Sequence, residues 1–345
     1  SRCDGSVIRA VEHGVNVVIW SFFHVATRQS DFPVSTVRRR LEQSAIVETP
    51  LDLDCVRREI NYLNQVYGDT VVHLASFGGW NAKHLDGGYS SKEIYEAWND
   101  LDVFDGIDWD LEGNDDLKSP YNHFSLDCLD KMGEISELAH NDGFIVGMAP
   151  PQSYLDPSST HFSRYLNHTH PGRKWHGDFS YAGRNVYAYL LAVYGHAIDM
   201  VSVQLYESYS RAANAIYELG MPASDYLESY VEDLALRHEK FLIEFSQDPE
   251  LGMEDTSVRL PLSKLVIGLA NSWAEEGVKT LYVDPSDIGR AYSRLNARGR
   301  TIRGFMFWTI DEEGSNGVYM ADELNQSLNG TQPFAVVSWP GQKRK

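Results

Sequence analysis

The chain has 345 residues, 43% of them hydrophobic and 23% charged, with a formal net charge of -19. That length is too great for one small core, and it suits one large α/β barrel or two modest domains. The negative charge repels phosphate backbones and anionic lipid, and no apolar run approaches the ~20 residues of a membrane span, so neither nucleic acid nor a membrane is expected as a partner.

In chain order, short β-rich runs at residues 15–22, 71–77, 104–111, 144–148, 200–205, 265–269 and 302–308 alternate with segments of helical periodicity. The latter fall at residues 51–66, 124–140, 186–197, 226–238 and 285–297. Alternation of this kind marks βαβ units and a parallel sheet, and near-continuous apolar runs suit strands covered on both faces. The count is one strand short of the eight that close a (β/α)8 TIM barrel. After a short helix-like stretch at 321–328, a further β-rich run occupies residues 334–338. If it pairs beside the first run, the barrel is circularly permuted, with its first strand supplied by the C-terminus. A seven-stranded barrel and a C-terminal tail are the alternatives. No repeat or linker marks a boundary, so residues 1–345 are read as a single domain. Two long connections, at 150–184 and 246–261, stand out, and the first is expected to shape a cleft.

Three cysteines, Cys3, Cys55 and Cys128, allow one intramolecular disulfide with a thiol left over. Asn167, Asn325 and Asn329 begin N-glycosylation triplets, and the first residues lack the apolar core of a signal peptide, so a mature or trimmed form is expected. His161, His168, His170 and His176 cluster in the first long connection, but without the carboxylate or thiolate spacing of a metal site. No metal and no cofactor are expected.

Residues 104–112 are the most informative stretch. Side chains alternate across a strand, so Asp108, Asp110 and Glu112 share one face while Ile107, Trp109 and Leu111 share the other. At the carboxyl end of a barrel strand such a row faces the catalytic mouth. Like charges this close cannot all ionise, and at least one acid should keep a raised pKa. Glu112, outermost, is then the natural donor of a proton to a glycosidic oxygen. A calcium loop is disfavoured, because its twelfth position counted from Asp108 is Ser119 and apolar residues interleave.

The acidic stretch, Asp105-Gly-Ile-Asp108-Trp-Asp110-Leu-Glu112, resembles the DxxDxDxE signature of glycoside hydrolase family 18. Ser76-Phe-Gly78-Gly79 resembles the family's SxGG motif, and Met148-Ala-Pro150, Gln204-Leu-Tyr206 and Phe307-Trp308 resemble its fifth, sixth and eighth strand motifs. Five matches occur in the family's order over nearly the whole chain. The resemblance implies chitinase activity by substrate-assisted retention, in which the sugar's own acetamido oxygen attacks the anomeric carbon. It gives Glu112 the role of acid and then base, and Asp110 that of holding the acetamido N–H with its proton shared by Asp108. Tyr206 would donate to the acetamido carbonyl beside Gln204, and Trp308 would floor the sugar. Asp105, Gly78, Gly79, Trp80 and Met148 complete the implied substrate-binding set. The residues at 336–341 resemble a family first strand, although Ser338 stands where an aromatic is common. Glu207 stands where the small plant enzymes usually carry Asn.

Only about thirty residues separate Leu269 from Ile302, too few for the α+β module of the larger family members, so an open cleft and endo cleavage are expected. Trp20 and Trp109 are expected in the core, Trp80, Trp273 and Trp308 beyond strand ends. The competing readings are an endo-β-N-acetylglucosaminidase acting on N-glycans and a non-catalytic chitin-binding lectin, which usually lacks the acid. A monomer, secreted or lumenal, acting on N-acetylglucosamine-containing oligosaccharide is the expectation.

Overall fold

The computed structural model describes residues 4–26, 45–85, 88–166, 185–207, 210–274 and 280–329. The C-terminal β-rich run, Cys3, Asn167 and three of the four clustered histidines lie outside these residues.

The elements follow the expected alternation. Helix α1 (Ser6–Glu12) leads into β1 (Val17–Val25), which carries a two-residue partner β2 (Val47–Glu48). Then come α2 (Leu53–Tyr67), β3 (Val72–Gly79), α3 (Ser91–Asn99), β4 (Gly106–Leu111), α4 (Leu126–Asn141), β5 (Ile145–Met148), α5 (Ala188–Tyr194) and β6 (Met200–Gln204). Helix α6 (Ala223–Leu236), β7 (Lys240–Ile243), β8 (Thr256–Arg259), β9 (Leu265–Ala270), α7 (Pro285–Ala297), β10 (Gly304–Trp308) and α8 (Met320–Asn329) follow among the described residues. Capping side chains fix several helix starts: Asp52 accepts from the Cys55 N–H, Ser125 from the Cys128 N–H, and Ser90 forms a reciprocal box with Glu93.

The main sheet runs β10-β9-β6-β5-β4-β3-β1-β2. Every neighbouring pair is parallel except β1 with β2, so seven strands form the parallel wall the sequence implied. No pairing joins β10 to β1 among the described residues. Two layers of side chains follow from the period of two. Trp109, Phe77 and Met148 point outward into the main core beneath the helices, whereas Val72, Leu74, Ile145, Met200 and Val266 fill the lower barrel. Trp20 and Trp109 are buried, as expected.

Two helices and a pair of strands depart from the periodicity reading. Helices α1 and α3 are only 7 and 9 residues long, shorter than the roughly 11 residues over which apolar spacing becomes readable. The second long connection contains the antiparallel ribbon β7–β8, whose four-residue strands are equally hard to read. Cys55 is disulfide-bonded and Cys128 is a buried free thiol.

Candidate active site

Strand β4 is clamped between β3 and β5, and the register sets the site. Ser76 pairs with Asp108 and Gly78 with Asp110 on one side, while Gly147 pairs with Asp108 on the other. Asp108, Asp110 and Glu112 are 0%, 7% and 8% exposed, and Ile107, Trp109 and Leu111 on the opposite face are buried too. The row of acids therefore stands in a protein interior, not on a wet strand.

Each acid has its own surroundings. Ser76 Oγ donates to Asp108 Oδ2 at 2.8 Å, and burial pushes the Asp108 carboxyl up to about 7. Gln204 Nε2, at the end of β6, donates to Asp110 Oδ1 at 2.7 Å and to the Ala149 carbonyl at 2.5 Å. Burial first, then the charges of Glu112 and Asp108, hold Asp110 well above the usual carboxylate range. Glu112 shares a hydrogen bond with Asp110 and is pushed up by burial to about 7. Repulsion along the row, the cause inferred from spacing, is thus second to desolvation.

The glycines of the motif have steric reasons. Gly78 adopts φ +125°, and a Cβ there would lie 2.2 Å from the Asp110 carbonyl oxygen. Gly79, at φ +88°, would meet the Phe22 ring at 2.7 Å. The missing side chain lets the β4 backbone come close at Gly78 and the Phe22 ring at Gly79.

Asp108, Asp110, Gln204, Tyr206 and Trp308 line one cavity of about 1170 Å³. Burial, then the charges of Asp110 and Glu112, raise the Tyr206 phenol well above its ordinary value, so its hydroxyl stays a donor. Trp308 is half-buried, its ring stacked on Phe22 with centroids 5.3 Å apart. Its carbonyl accepts from the Trp273 Nε1–H at 2.7 Å. Trp80, 45% exposed, stands just beyond β3.

Two residues of the expected binding set are not brought to the acids. Met148 is in register with Trp109 and fully buried in the outer core. Asp105 precedes β4 at the far end from Glu112, where its Oδ2 accepts the His73 N–H at 2.8 Å. The six residues of β4 separate Asp105 from Glu112, ~23 Å along the chain.

Other side chains hold the mouth of β4 and were not singled out by any motif. Tyr187 donates to the Leu111 carbonyl at 2.9 Å, Tyr154 accepts from the Gly113 N–H at 3.1 Å, and a His84 ring nitrogen lies 2.8 Å from the Glu112 carbonyl oxygen. The first long connection supplies Tyr154 and leads into Tyr187, which is its one signal in the sequence. Glu207 hydrogen-bonds Ser153, and burial followed by the charge of Glu112 raises its carboxyl well above the ordinary range. Of these acids Asp108 and Asp110 line the cavity, and Glu112 is hydrogen-bonded to Asp110 behind that lining; buried, protonatable acids so linked can deliver a proton to a neutral ligand and take it back.

No family model and no curated protein matches the sequence. Among solved structures, the chain is similar to a family 18 chitinase from Pseudoalteromonas aurantia, at 16% identity and TM-score 0.51, over 94% of this chain and 97% of that one. It is similar to a fungal endo-β-N-acetylglucosaminidase of family 18, at 16% identity and TM-score 0.53, over 92% and 88% of the two chains. Active domain 2 of a chitinase from Pyrococcus furiosus gives 11% identity and TM-score 0.53, over 94% and 89%. The parallel wall, the helices that follow its strands and these likenesses together give the chain the chitinase-like fold of glycoside hydrolase family 18.

Proposed function

We propose that the protein is a glycosidase that hydrolyses β-1,4 bonds beside N-acetylglucosamine, in chitin or its oligomers, with retention of configuration. The observation that carries this reading is the buried row Asp108, Asp110 and Glu112, in which the outermost acid has a pKa raised to about 7. A general acid needs to hold its proton near neutral pH, and burial supplies that here.

In this reading Glu112 protonates the glycosidic oxygen as the bond to the anomeric carbon breaks. The substrate's acetamido oxygen attacks that carbon and forms an oxazolinium ion, so no second carboxylate has to act as nucleophile; substrate assistance is a recognised exception to the two-carboxylate scheme. Asp110 orients the acetamido N–H, and Tyr206 donates to the acetamido oxygen. The Glu112 carboxylate then takes a proton from the water that opens the ion, which restores the acid. The half-buried Trp308 offers an aromatic face to the sugar. No metal or cofactor enters the scheme. The disulfide at Cys55 supports a secreted or lumenal location.

Likeness to a fungal endo-β-N-acetylglucosaminidase favours a second reading, trimming of N-glycans by the same residues. The test compares N-acetylglucosamine oligomers with a high-mannose glycoprotein, for wild type and Glu112→Gln. Oligomer cleavage should dominate and should fall by ~10²–10⁴-fold in the variant, with an unchanged melting temperature. Undiminished turnover in Glu112→Gln removes the assigned acid, and glycan release alone favours the second reading.

A further inference from the structure

An aromatic platform serves a sugar only if its ring keeps one orientation, because a misplacement of ~1 Å at a reacting group can cost ~10²-fold in rate. Trp308 is the last residue of β10 and lines the cavity with Asp108 and Asp110. Its ring stacks on Phe22, yet all five residues of β10 are only half-buried. Side-chain packing alone therefore grips this ring loosely. The backbone that carries it is held much more firmly.

The Trp308 carbonyl accepts twice, from the Asn271 N–H at 2.7 Å and from the Trp273 Nε1–H at 2.7 Å. A carbonyl oxygen has two lone pairs, so both are taken and the peptide plane is fixed. Asn271 stands one residue past β9 and is 0% exposed. Its Nδ2 donates to the Thr309 carbonyl at 3.1 Å and to Glu313 Oε1 at 3.2 Å, while its Oδ1 accepts the Ser272 N–H at 2.6 Å. Main chain and side chain of one residue thus hold two successive carbonyls, those of Trp308 and Thr309.

The donors and acceptors around Asn271 select an amide. Two oxygens face its NH2 group and one N–H faces its oxygen, so all three partners are satisfied in a single orientation. A carboxylate would set oxygen against oxygen twice, and a hydroxyl has one hydrogen where two are needed. The amide is anchored in turn: Glu313 Oε1 also accepts the Ala321 N–H at 3.3 Å, in the first turn of α8. Ser272 Oγ donates to the Ser315 carbonyl at 2.5 Å, and Asn316 Nδ2 donates to the Ser272 carbonyl at 3.0 Å. The turn after β9 and the connection after β10 are laced together around Asn271.

We propose that Asn271, backed by Glu313, is a positioning residue that holds the Trp308 ring in one orientation at the cavity, an inference that rests on the reading of Trp308 as the sugar platform. Asn271 acts through the backbone of Trp308 and Thr309 and has no part in the proton transfers.

The test reads the ring apart from the reaction. The eight tryptophans are replaced by 5-fluorotryptophan, and the fluorine line of Trp308 is assigned by Trp308→Phe. Asn271→Leu keeps the branch at Cγ and removes both donors and the acceptor. The Trp308 line should be single and narrow in the wild type and should shift, broaden or split in Asn271→Leu. The lines of Trp98 and Trp109, both buried in the core, should stay in place and show that the fold is kept. On the substrate that the wild type cleaves, kcat/KM of Asn271→Leu should fall by ~10–100-fold. An unmoved Trp308 line overturns the proposal, and so does a moved line with wild-type kcat/KM. Should Asn271→Leu fail to fold, Glu313→Ala decides by the same two readings, with a smaller effect expected on each. A wild type that cleaves neither N-acetylglucosamine oligomers nor glycans removes the glycosidase reading instead, and the fluorine line then decides the brace alone.

Discussion

At the residue scale, the chemistry of Glu112 depends on where its proton resides. Glu112 is 8% exposed, and burial raises its carboxyl to about 7, while its hydrogen bonds to Asp110 and Gln204 pull the other way. A general acid acts only while protonated, so the active fraction falls tenfold per pH unit above its pKa. The basic limb of kcat/KM on N-acetylglucosamine oligomers should therefore bend near pH 7. An exposed glutamate would bend it two to three units lower, near its ordinary value. The check uses a second substrate whose aryl leaving group departs without protonation, given to Glu112→Gln. Residual cleavage there should lack the limb, and a limb that persists in the variant assigns it to another group, with Glu207 the first to try.

At the element scale, β4 works because β3 and β5 let it come close. Gly78 holds a backbone conformation that side chains rarely adopt, against the Asp110 carbonyl. Gly147 leaves room for Asp108, since a Cβ there would lie 2.6 Å from Asp108 Oδ1. Gly78→Ala should lower unfolding free energy by about 2–4 kcal/mol, measured by urea denaturation, and should cost activity as Asp110 shifts. An alanine variant of wild-type stability would mean that the strand pair is looser than its register implies. This part of the site was legible in the sequence because a strand's period of two converts spacing directly into shared faces, and the helix periods served the longer helices equally well. The braces were not legible. Tyr187 reaches Leu111 across 76 residues of chain, and no local pattern encodes a contact of that range. Asp105 and Met148 show the converse, since a motif names both while the strand geometry takes one to the far end of β4 and the other to the outer core.

At the scale of the whole molecule, the shape of the cleft is set by what the connections carry. Between β9 and β10 the chain describes a short turn at Ser272–Ala274 and helix α7, and the spacing of the two strands leaves no room for a separate α+β module on that side. The described part of the first long connection, by contrast, is held by ion pairs: Arg164, 2% exposed, pairs with Asp248 and Glu250 at 2.6 Å each, and the buried Asp156 pairs with Arg211 at 2.7 Å. Under the chitinase reading, the short β9–β10 connection keeps that side of the cleft low, so a sugar chain can lie across the mouth with both ends in solvent. A cleft of that shape selects no chain end. On a defined oligomer of six N-acetylglucosamine units, the first products should be a mixture of dimer, trimer and tetramer from internal bonds, and viscosity of a soluble chitin derivative should fall well before reducing ends accumulate. Exclusive early release of dimer, with viscosity tracking reducing ends, would mean that a wall blocks one end of the cleft and that the open-cleft reading of the β9–β10 connection is wrong.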